Sequence, residues 1–223
     1  MSRVVRAFSI ATLLLTLGLC AMAQSKEAKE KYYKALQQLD WQAPNSGRGT
    51  WQYARRHPLP PNPTKAEKLF NEASALAPDW ILPIYGLADM NFMQKKFSQA
   101  AQFYSKVRQM DDKTHELDKA TRNDMWDQLG LSFAYDADYK EAEAVYLSAL
   151  KEDPEFPTFH YNLSCVYAES HKLSDALDQL KLAWQYKDNM PKGQPFPDPR
   201  KDDSWREYLD NPRFQEVVRD MVI

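Results

Sequence analysis

The sequence has little glycine, few cysteines and almost no net charge, and each shortage excludes a class of protein. Six glycines among 223 residues are too few for a glycine-rich phosphate-binding loop. Two cysteines cannot form the disulfide framework of a small secreted scaffold. Lys and Arg number 29 against 31 Asp and Glu, which argues against a nucleic-acid binder that works by counterion release. The remaining composition, 43% apolar and 27% charged, is that of a folded globular chain.

Side chains that could bind a metal or act in catalysis do not occur at the spacings that such sites require. None of the four histidines pairs with another at a metal-ligand spacing. His160 and Cys165 fall on one predicted helix, but without an oxyanion-binding nest a buried structural thiol is favoured over a nucleophile. The acidic pairs 111–112 and 202–203 are interpreted as turn residues, because they lack the spacing of a calcium loop. We therefore predict no catalytic residue, no metal and no cofactor, and a protein that is not an enzyme.

The first residues, 1–23, have the pattern of a secretory signal peptide. Arg3 and Arg6 precede an uncharged apolar run over residues 7–19, and Ala21-Met22-Ala23 is a small-x-small cleavage signal. The run is shorter than the ~20 residues of a membrane-spanning helix, which favours cleavage over an uncleaved anchor. The junction is typical of exported bacterial proteins, so we expect a periplasmic or secreted protein without stable membrane insertion.

Cleavage near Ala23/Gln24 changes the charge and the cysteine content. The mature chain would keep 27 basic and 31 acidic residues, a net charge of −4, and Cys165 as its one cysteine. Lipid attachment at Cys20 is an alternative that the sequence leaves open, although the bulky Leu19 directly before it is unlike a bacterial lipobox.

A repeat through the middle of the chain sets the expected architecture. Four segments align on an alanine followed four positions later by a large apolar residue, with steps of 34, 42 and 34 residues: Ala66/Phe70, Ala100/Tyr104, Ala142/Tyr146 and Ala176/Leu180. One unit adds Trp126-x2-Leu129-Gly130 upstream and Pro154 downstream. With these residues the chain resembles the tetratricopeptide repeat family over residues 64–187.

The resemblance implies an all-α fold: a right-handed α-solenoid of about three to four helical hairpins with a C-terminal helical cap. Units are expected near 64–80, 81–114, 123–156 and 157–190. Small residues let two helices cross closely, and aromatic residues one turn later fill the space between hairpins. The residues assigned to this packing are Ala66, Phe70, Ala100, Tyr104, Trp126, Leu129, Gly130, Ala142, Tyr146 and Ala176. Thr64 and Asp138 begin predicted capping boxes, and Ser98 and Ser174 are predicted N-caps.

Irregular segments flank the array on both sides. Residues 24–63 hold an amphipathic helix over 26–40 and an insertion, 41–63, which is basic, aromatic and proline-rich. Eight residues beyond one period, near 114–121, are expected to lengthen the helices around that turn. Residues 188–223 form a proline-rich linker and then short helices beginning near Ser204 and at Asn211-Pro212. Such helices would cover the apolar end of the solenoid.

Ligand contacts in the family are made by first helices on the concave side. Carried over position by position, these residues are Leu82, Tyr85, Asp89, Phe92 and Met93, then Asp124, Asp127, Leu131, Ala134 and Tyr135, then Thr158, Tyr161, Cys165, Ala168 and Glu169. None is Lys or Arg, so the family's carboxylate clamp is absent. The candidate partner-binding residues are Tyr85, Asp89, Phe92, Asp127, Leu131, Tyr135 and Tyr161. For the three tyrosines, exposure in the groove and packing between helices both remain open.

The leading hypothesis is an exported protein-protein interaction module whose aromatic and acidic groove holds a peptide or helix of an envelope or secreted partner. One alternative is a structural subunit of a cell-envelope assembly. A second is a carbohydrate-binding protein or enzyme in which Trp41, Trp51 and Trp205 stack on sugars. The insertion could bind a partner or cover the array's N-terminal end. Partner identity, pathway and oligomeric state cannot be read from the residues, because function lies in sites placed on this scaffold.

Overall fold

The computed structural model describes residues 26–39 and 62–221, and every regular element in these ranges is helical. Helix α1 covers residues 26–39. The following helices are α2 (Pro63–Leu76), α3 (Ile81–Met93), α4 (Phe97–Thr114), α5 (Lys119–Tyr135), α6 (Tyr139–Glu152), α7 (Pro157–Glu169), α8 (Leu173–Gln185) and α9 (Pro212–Val218). Consecutive helices pack as antiparallel pairs, which confirms the predicted α-solenoid. The predicted signal peptide and the predicted insertion up to residue 61 lie outside the described residues.

Three hairpin turns repeat the same backbone conformation. Lys95, Ala137 and His171 each have a φ near +60°, at the equivalent position between the first and second helix of a hairpin. In each turn the next amide donates to the carbonyl five residues earlier, as Lys96 N does to Asn91 O at 2.9 Å. None of the three residues is glycine, which is the usual residue for this conformation. The backbone conformation of the turn therefore repeats along the array, although the residue type at this position does not.

All ten residues assigned to repeat packing are buried. Gly130 shows why the pattern needs a small residue. A β-carbon added there would overlap the ring of Tyr146, and one added at Gly86 would lie 2.7 Å from the ring of Phe70. These two glycines let a first helix sit directly on an aromatic side chain of a second helix.

The connection between α4 and α5 is braced by an ion pair between the buried Asp111 and the partly exposed Arg122. Helix α4 has 18 residues and α5 has 17, longer than their neighbours, as the extra eight residues predict. Asp111 lies inside α4, not in a turn as predicted, and is only 3% exposed. Its carboxylate accepts from Arg122 Nε at 2.6 Å and from Leu117 N at 2.8 Å. The side chain thereby satisfies a buried backbone donor that the loop leaves unpaired.

The predicted helix starts are correct in part. Asp138 caps α6, and its carboxylate accepts from Glu141 N at 3.3 Å. Helix α2 begins one residue before Thr64 and is capped by Asn62. Ser98 and Ser174 are not N-caps, because α4 and α8 begin one residue earlier and follow directly from the tight turns. The turn geometry therefore starts these helices without a side-chain cap.

The C-terminal part covers the end of the array. Three short 3-10 helices, Lys187–Asn189, Pro199–Lys201 and Asp203–Tyr208, precede α9. The segment predicted to begin an α-helix at Ser204 is 3-10 helical, and its N-cap is Asp202. Trp205 and Phe214 are fully buried, and their rings stack at 5.0 Å. Burial of Trp205 removes it from the predicted sugar-stacking set, while Trp41 and Trp51 lie outside the described residues.

Candidate functional site: the face of the first helices

The first helices α3, α5 and α7 lie side by side and together present one face of the array. Residues eleven positions apart on an α-helix return to almost the same side. Asp124, Asp127, Leu131 and Tyr135 accordingly form one stripe along α5. A hydrogen bond from Asn162 Nδ2 to Asp127 Oδ1, 2.6 Å long, joins α7 to α5 on this side. We call the surface of α3 and α5, where Tyr135 is exposed, the open face. We call the surface of α7, which the C-terminal segment covers, the closed face.

Tyr85 and Tyr161 do not offer their rings to a ligand. They are 3% and 4% exposed, because each lies between its own helix pair and the next element along the array. The ring of Tyr85 packs edge-on against Tyr104 at 5.9 Å. The hydroxyl of Tyr161 donates to Asp202 Oδ2 at 2.9 Å. Tyr85 and Tyr161 are among the candidate groove residues, for which the sequence leaves both exposure and packing open; the structure shows that both pack within the fold.

Tyr135 behaves differently from the other two tyrosines. It is 60% exposed, and it stands at the C-terminal end of α5. Its ring lies 4.9 Å from Phe97 and 6.0 Å from Phe92, and those two rings are 5.5 Å apart. The three rings form an aromatic platform, with Phe92 and Phe97 half-buried beneath an exposed Tyr135. Such a platform holds a large contact area in a fixed position at little entropic cost.

Carboxylates line the other end of the open face. Burial, and then the charges of Asp127 and Asp118, raise the pKa of Asp124 from 3.8 to about 7. Burial also raises the pKa of Asp127 to about 7, against the opposing effect of hydrogen bonds from Asn162 and Tyr146. A cation beside either carboxylate would favour its ionised form and lower its pKa.

Asp89 and Leu131 complete the open face. The hydroxyl of Tyr104 donates to Asp89 Oδ1 at 2.5 Å, and burial followed by the charge of Asp89 raises the pKa of that tyrosine. The hydroxyl of Tyr146 donates to the carbonyl oxygen of Asp127 at 3.2 Å. In these two hairpins, α3–α4 and α5–α6, a tyrosine of the second helix thus donates to an aspartate of the first. Leu131 is half-buried and lies on the α5 stripe between the carboxylates and the platform.

The chain's own C-terminal segment covers the face of α7. Tyr161 binds Asp202, and Cys165 Sγ lies 3.8 Å from Asp202 Oδ2. The ring of Phe196 packs edge-on against Tyr161 at 5.7 Å. Further along α7, the hydroxyl of Tyr208 donates to the carbonyl oxygen of Ala168 at 3.3 Å. The family positions on α7 are thereby occupied within the molecule, which the sequence does not indicate.

Cys165 and His160 do not form a nucleophilic pair. The ring nitrogens of His160 lie 2.7 Å from Gln179 Oε1 and 2.9 Å from the carbonyl oxygen of Pro154. Burial, and then the charge of Asp202, raise the pKa of the Cys165 thiol well above its usual range. A thiol in this environment is a poor nucleophile. Across residues 26–39 and 62–221 no group of three metal-ligating side chains comes together, and no helix is apolar over a membrane-spanning length.

Comparison with known proteins matches one part of the array to a repeat family. Residues 128–188 match the family model described as tetratricopeptide repeat, which covers α6, α7, α8 and the end of α5. Among solved structures, the crystal structure of YrrB, described as a TPR protein with an unusual peptide-binding site, is similar over 72% of this chain and 80% of that chain. The sequence identity is 14% and the TM-score 0.45. None of the curated proteins compared with the chain matches it. The family match supports a tetratricopeptide-repeat protein, a fold typical of non-enzymatic scaffolds for protein-protein interaction.

Proposed function

We propose that this chain is an exported interaction module whose open face binds a peptide or a helix of an envelope or secreted partner. The observation that carries the proposal is the exposed Tyr135 ring on its aromatic platform, at one end of a face that is acidic at the other. The match over residues 128–188 supports an interaction module. Export is supported by the signal-peptide pattern of residues 1–23.

The open face favours a ligand that is both basic and apolar. A ligand cation beside Asp124 would stabilise the ionised carboxylate and lower its raised pKa. Asp124 and Tyr135 lie on the same side of α5, ~16 Å apart along the helix axis at 1.5 Å per residue. An extended peptide covers that length in about five residues. A basic side chain and an aromatic or aliphatic side chain at that separation would contact both ends of the face.

Peptide binding tests this assignment directly. A labelled peptide with Arg and Phe side chains at that separation is titrated into the protein, beside a matched peptide with Glu in place of each Arg. We expect binding of the first peptide only. Tyr135→Ala and Asp124→Asn should each raise its Kd by about tenfold, because each removes one contact of roughly 1.4 kcal/mol.

Matched controls lie on other surfaces of the array. Tyr33 is a second exposed tyrosine, at 51%, and Asp178 is an exposed aspartate on α8 paired with Lys181. Tyr33→Ala and Asp178→Asn should leave the Kd within about twofold, since neither side chain belongs to the open face. Equal binding of the Glu peptide, or equal losses from the control variants, would refute the assignment of the ligand to this face.

Export and the class of partner need an experiment in cells. Mass spectrometry of the protein from fractionated cells should find a mature N-terminus at Gln24 in the exported fraction. Affinity capture from an envelope extract should return a partner that the Tyr135→Ala/Asp124→Asn double variant loses. An intact N-terminus in the cytosolic fraction would contradict export. Co-migration of the double variant with a large membrane complex would favour the structural-subunit alternative.

A further inference from the structure

The C-terminal segment 190–202, which we call the strap, crosses the closed face as a chain that is irregular except for the short 3-10 helix Pro199–Lys201. Met190 Sδ lies 4.0 Å from Thr158 Oγ1 at one end of α7. Asp202 reaches Tyr161 at the other end of the strap. Between them, the ring of Phe196 fits edge-on between Trp184, at 5.2 Å, and Tyr161. The strap therefore inserts one aromatic ring and one carboxylate into the face of the fourth hairpin.

Residues 190–197 of the strap are held less firmly than the segment after it, to which Arg200 ties the end of the strap by a hydrogen bond from Nη2 to Met221 O at 3.3 Å. Its residues 192–195 are exposed, and its internal backbone hydrogen bonds are local, such as Gln194 N to Pro191 O at 2.9 Å. The following anchor is different, because Trp205 and Phe214 are fully buried and Val218 is 1% exposed. Segments with few buried apolar contacts open at lower free energy than the core. The strap can therefore leave the face while Trp205, Phe214 and Val218 stay buried; release of Asp202 also removes its cap on the 3-10 helix Asp203–Tyr208.

The surface beneath the strap has its own binding chemistry. Tyr161 presents a hydroxyl donor, and Trp184 with Tyr161 forms a slot for a ring. A hydroxyl donor suits a carboxylate, and edge-on packing suits an aromatic side chain. The open face, whose stripe begins with two aspartates, favours the opposite charge. On the face of the first helices, the aspartates of α5 thus suit a basic ligand group, whereas the Tyr161 hydroxyl of α7 suits an acidic one.

We propose that the closed face is a second binding subsite, filled in the resting molecule by Phe196 and Asp202 of the strap. A partner segment with an aromatic residue and a carboxylate at a similar separation displaces the strap and takes its contacts. This inference rests on the proposed function, because it extends the same binding face by one hairpin. It adds the regulation of that face, since a partner that spans all three helices must first release the strap.

Cys165 is a natural reporter for strap release, because its thiol lies under the strap beside Asp202. The rate of its modification by a thiol reagent is measured in protein carrying Cys20→Ser, so that Cys165 is the one cysteine that can react. Phe196→Ala removes the main apolar contact of the strap and should raise the rate about tenfold. Pro195→Ala, at the exposed neighbouring position, should leave the rate within about twofold. Equal rates in both variants would overturn the proposal.

A peptide added in trans tests the subsite itself. The probe is a labelled synthetic peptide with the sequence of residues 190–204. It should bind the Phe196→Ala protein and not the wild type, whose strap already fills the site. A further Tyr161→Phe change should abolish that binding. No binding to the Phe196→Ala protein would overturn the proposal, and so would equal binding to both proteins.

The unsubstituted chain gives a measurement that does not depend on the folding of a variant. Local release of the strap exposes little surface, so Cys165 modification in low urea should be insensitive to urea concentration. A rate that rises with urea as steeply as global unfolding does would mean that the strap never opens alone, and would contradict the proposal. Binding of the Arg and Phe peptide to the open face is unaffected by either result, so failure here is distinguishable from failure of the proposed function.

Discussion

The open and closed faces are built from equivalent helix positions, yet they differ in what covers them. On α7 the position-five side chain, Tyr161, donates to Asp202 of the strap, and that carboxylate also caps the next 3-10 helix through Ser204 N at 3.0 Å. On α5 the carboxylate of Asp124 is half-buried, and the charged side chains that raise its pKa, Asp127 and Asp118, are both acidic. The comparison indicates that a cationic ligand would stabilise the acidic end of the open face most. The closed face is already covered by Phe196 and Asp202 of the strap.

The largest effect on the difference between the two faces is expected from removing Trp205, which anchors the segment that covers the closed face. Trp205→Ala deletes a fully buried indole stacked on Phe214, which should lower the free energy of unfolding by about 3–5 kcal/mol. Chemical denaturation measures this loss, and Cys165 should become accessible to thiol reagents. Tyr33→Ala, at an exposed ring, should cost less than about 1 kcal/mol. An unchanged rate of Cys165 modification in the Trp205→Ala protein would show that the anchor does not hold the closed face shut.

A smaller effect distinguishes the faces by their charge. The pKa of Asp124 is raised to about 7 in the folded protein from an ordinary 3.8, so its neutral form is favoured on folding. The stability it contributes is fully present below about pH 3.8 and is lost as the pH rises to about 7. Asp124→Asn cannot ionise and should raise the free energy of unfolding at pH 8 by about 1 kcal/mol relative to wild type, with little change at pH 4.

Asp178→Asn is the control for that titration, because this carboxylate is exposed and paired with Lys181. Thermal unfolding followed at several pH values between 4 and 8 supplies the measurement. If the difference between Asp124→Asn and wild type were the same at every pH, the raised pKa of Asp124 could not be the cause of the difference.

The smallest expected effect concerns the far end of the closed face. The hydroxyl of Tyr208 donates to the carbonyl oxygen of Ala168 at 3.3 Å, a long bond at a partly exposed site. Tyr208→Phe should therefore lower the free energy of unfolding by less than about 1 kcal/mol and leave Cys165 protected. A loss comparable to that of Trp205→Ala would mean that this end, and not the buried indole, anchors the segment.

The sequence predicts the helices well because their spacing is periodic and their packing residues recur. Ala142, Tyr146 and Gly130 lie where the repeat pattern places them, and the long connection near residue 114 is lengthened as expected. The three turns at Lys95, Ala137 and His171 escape prediction. Their backbone enters the left-handed region without the glycine that usually marks it, and the packing of the flanking helices imposes the conformation.

The site is predicted less completely, because exposure depends on what lies next to a helix. Tyr85, Tyr135 and Tyr161 occupy positions that the family pattern assigns to the groove, but only Tyr135 is exposed. Tyr161 is covered by Asp202, 41 residues further along the chain. No local pattern encodes such a contact. The acidic character of the open face was readable, since it follows from residue types at repeat positions, whereas closure by the strap was not.

Amide hydrogen exchange with and without the Arg and Phe peptide tests the central claim most directly, because it reports on both faces in one experiment. Binding to the open face predicts slower exchange at residues 81–93 and 119–135, and unchanged exchange at residues 157–169 beneath the strap. Protection concentrated at 157–169, with none on α3 and α5, would contradict the account.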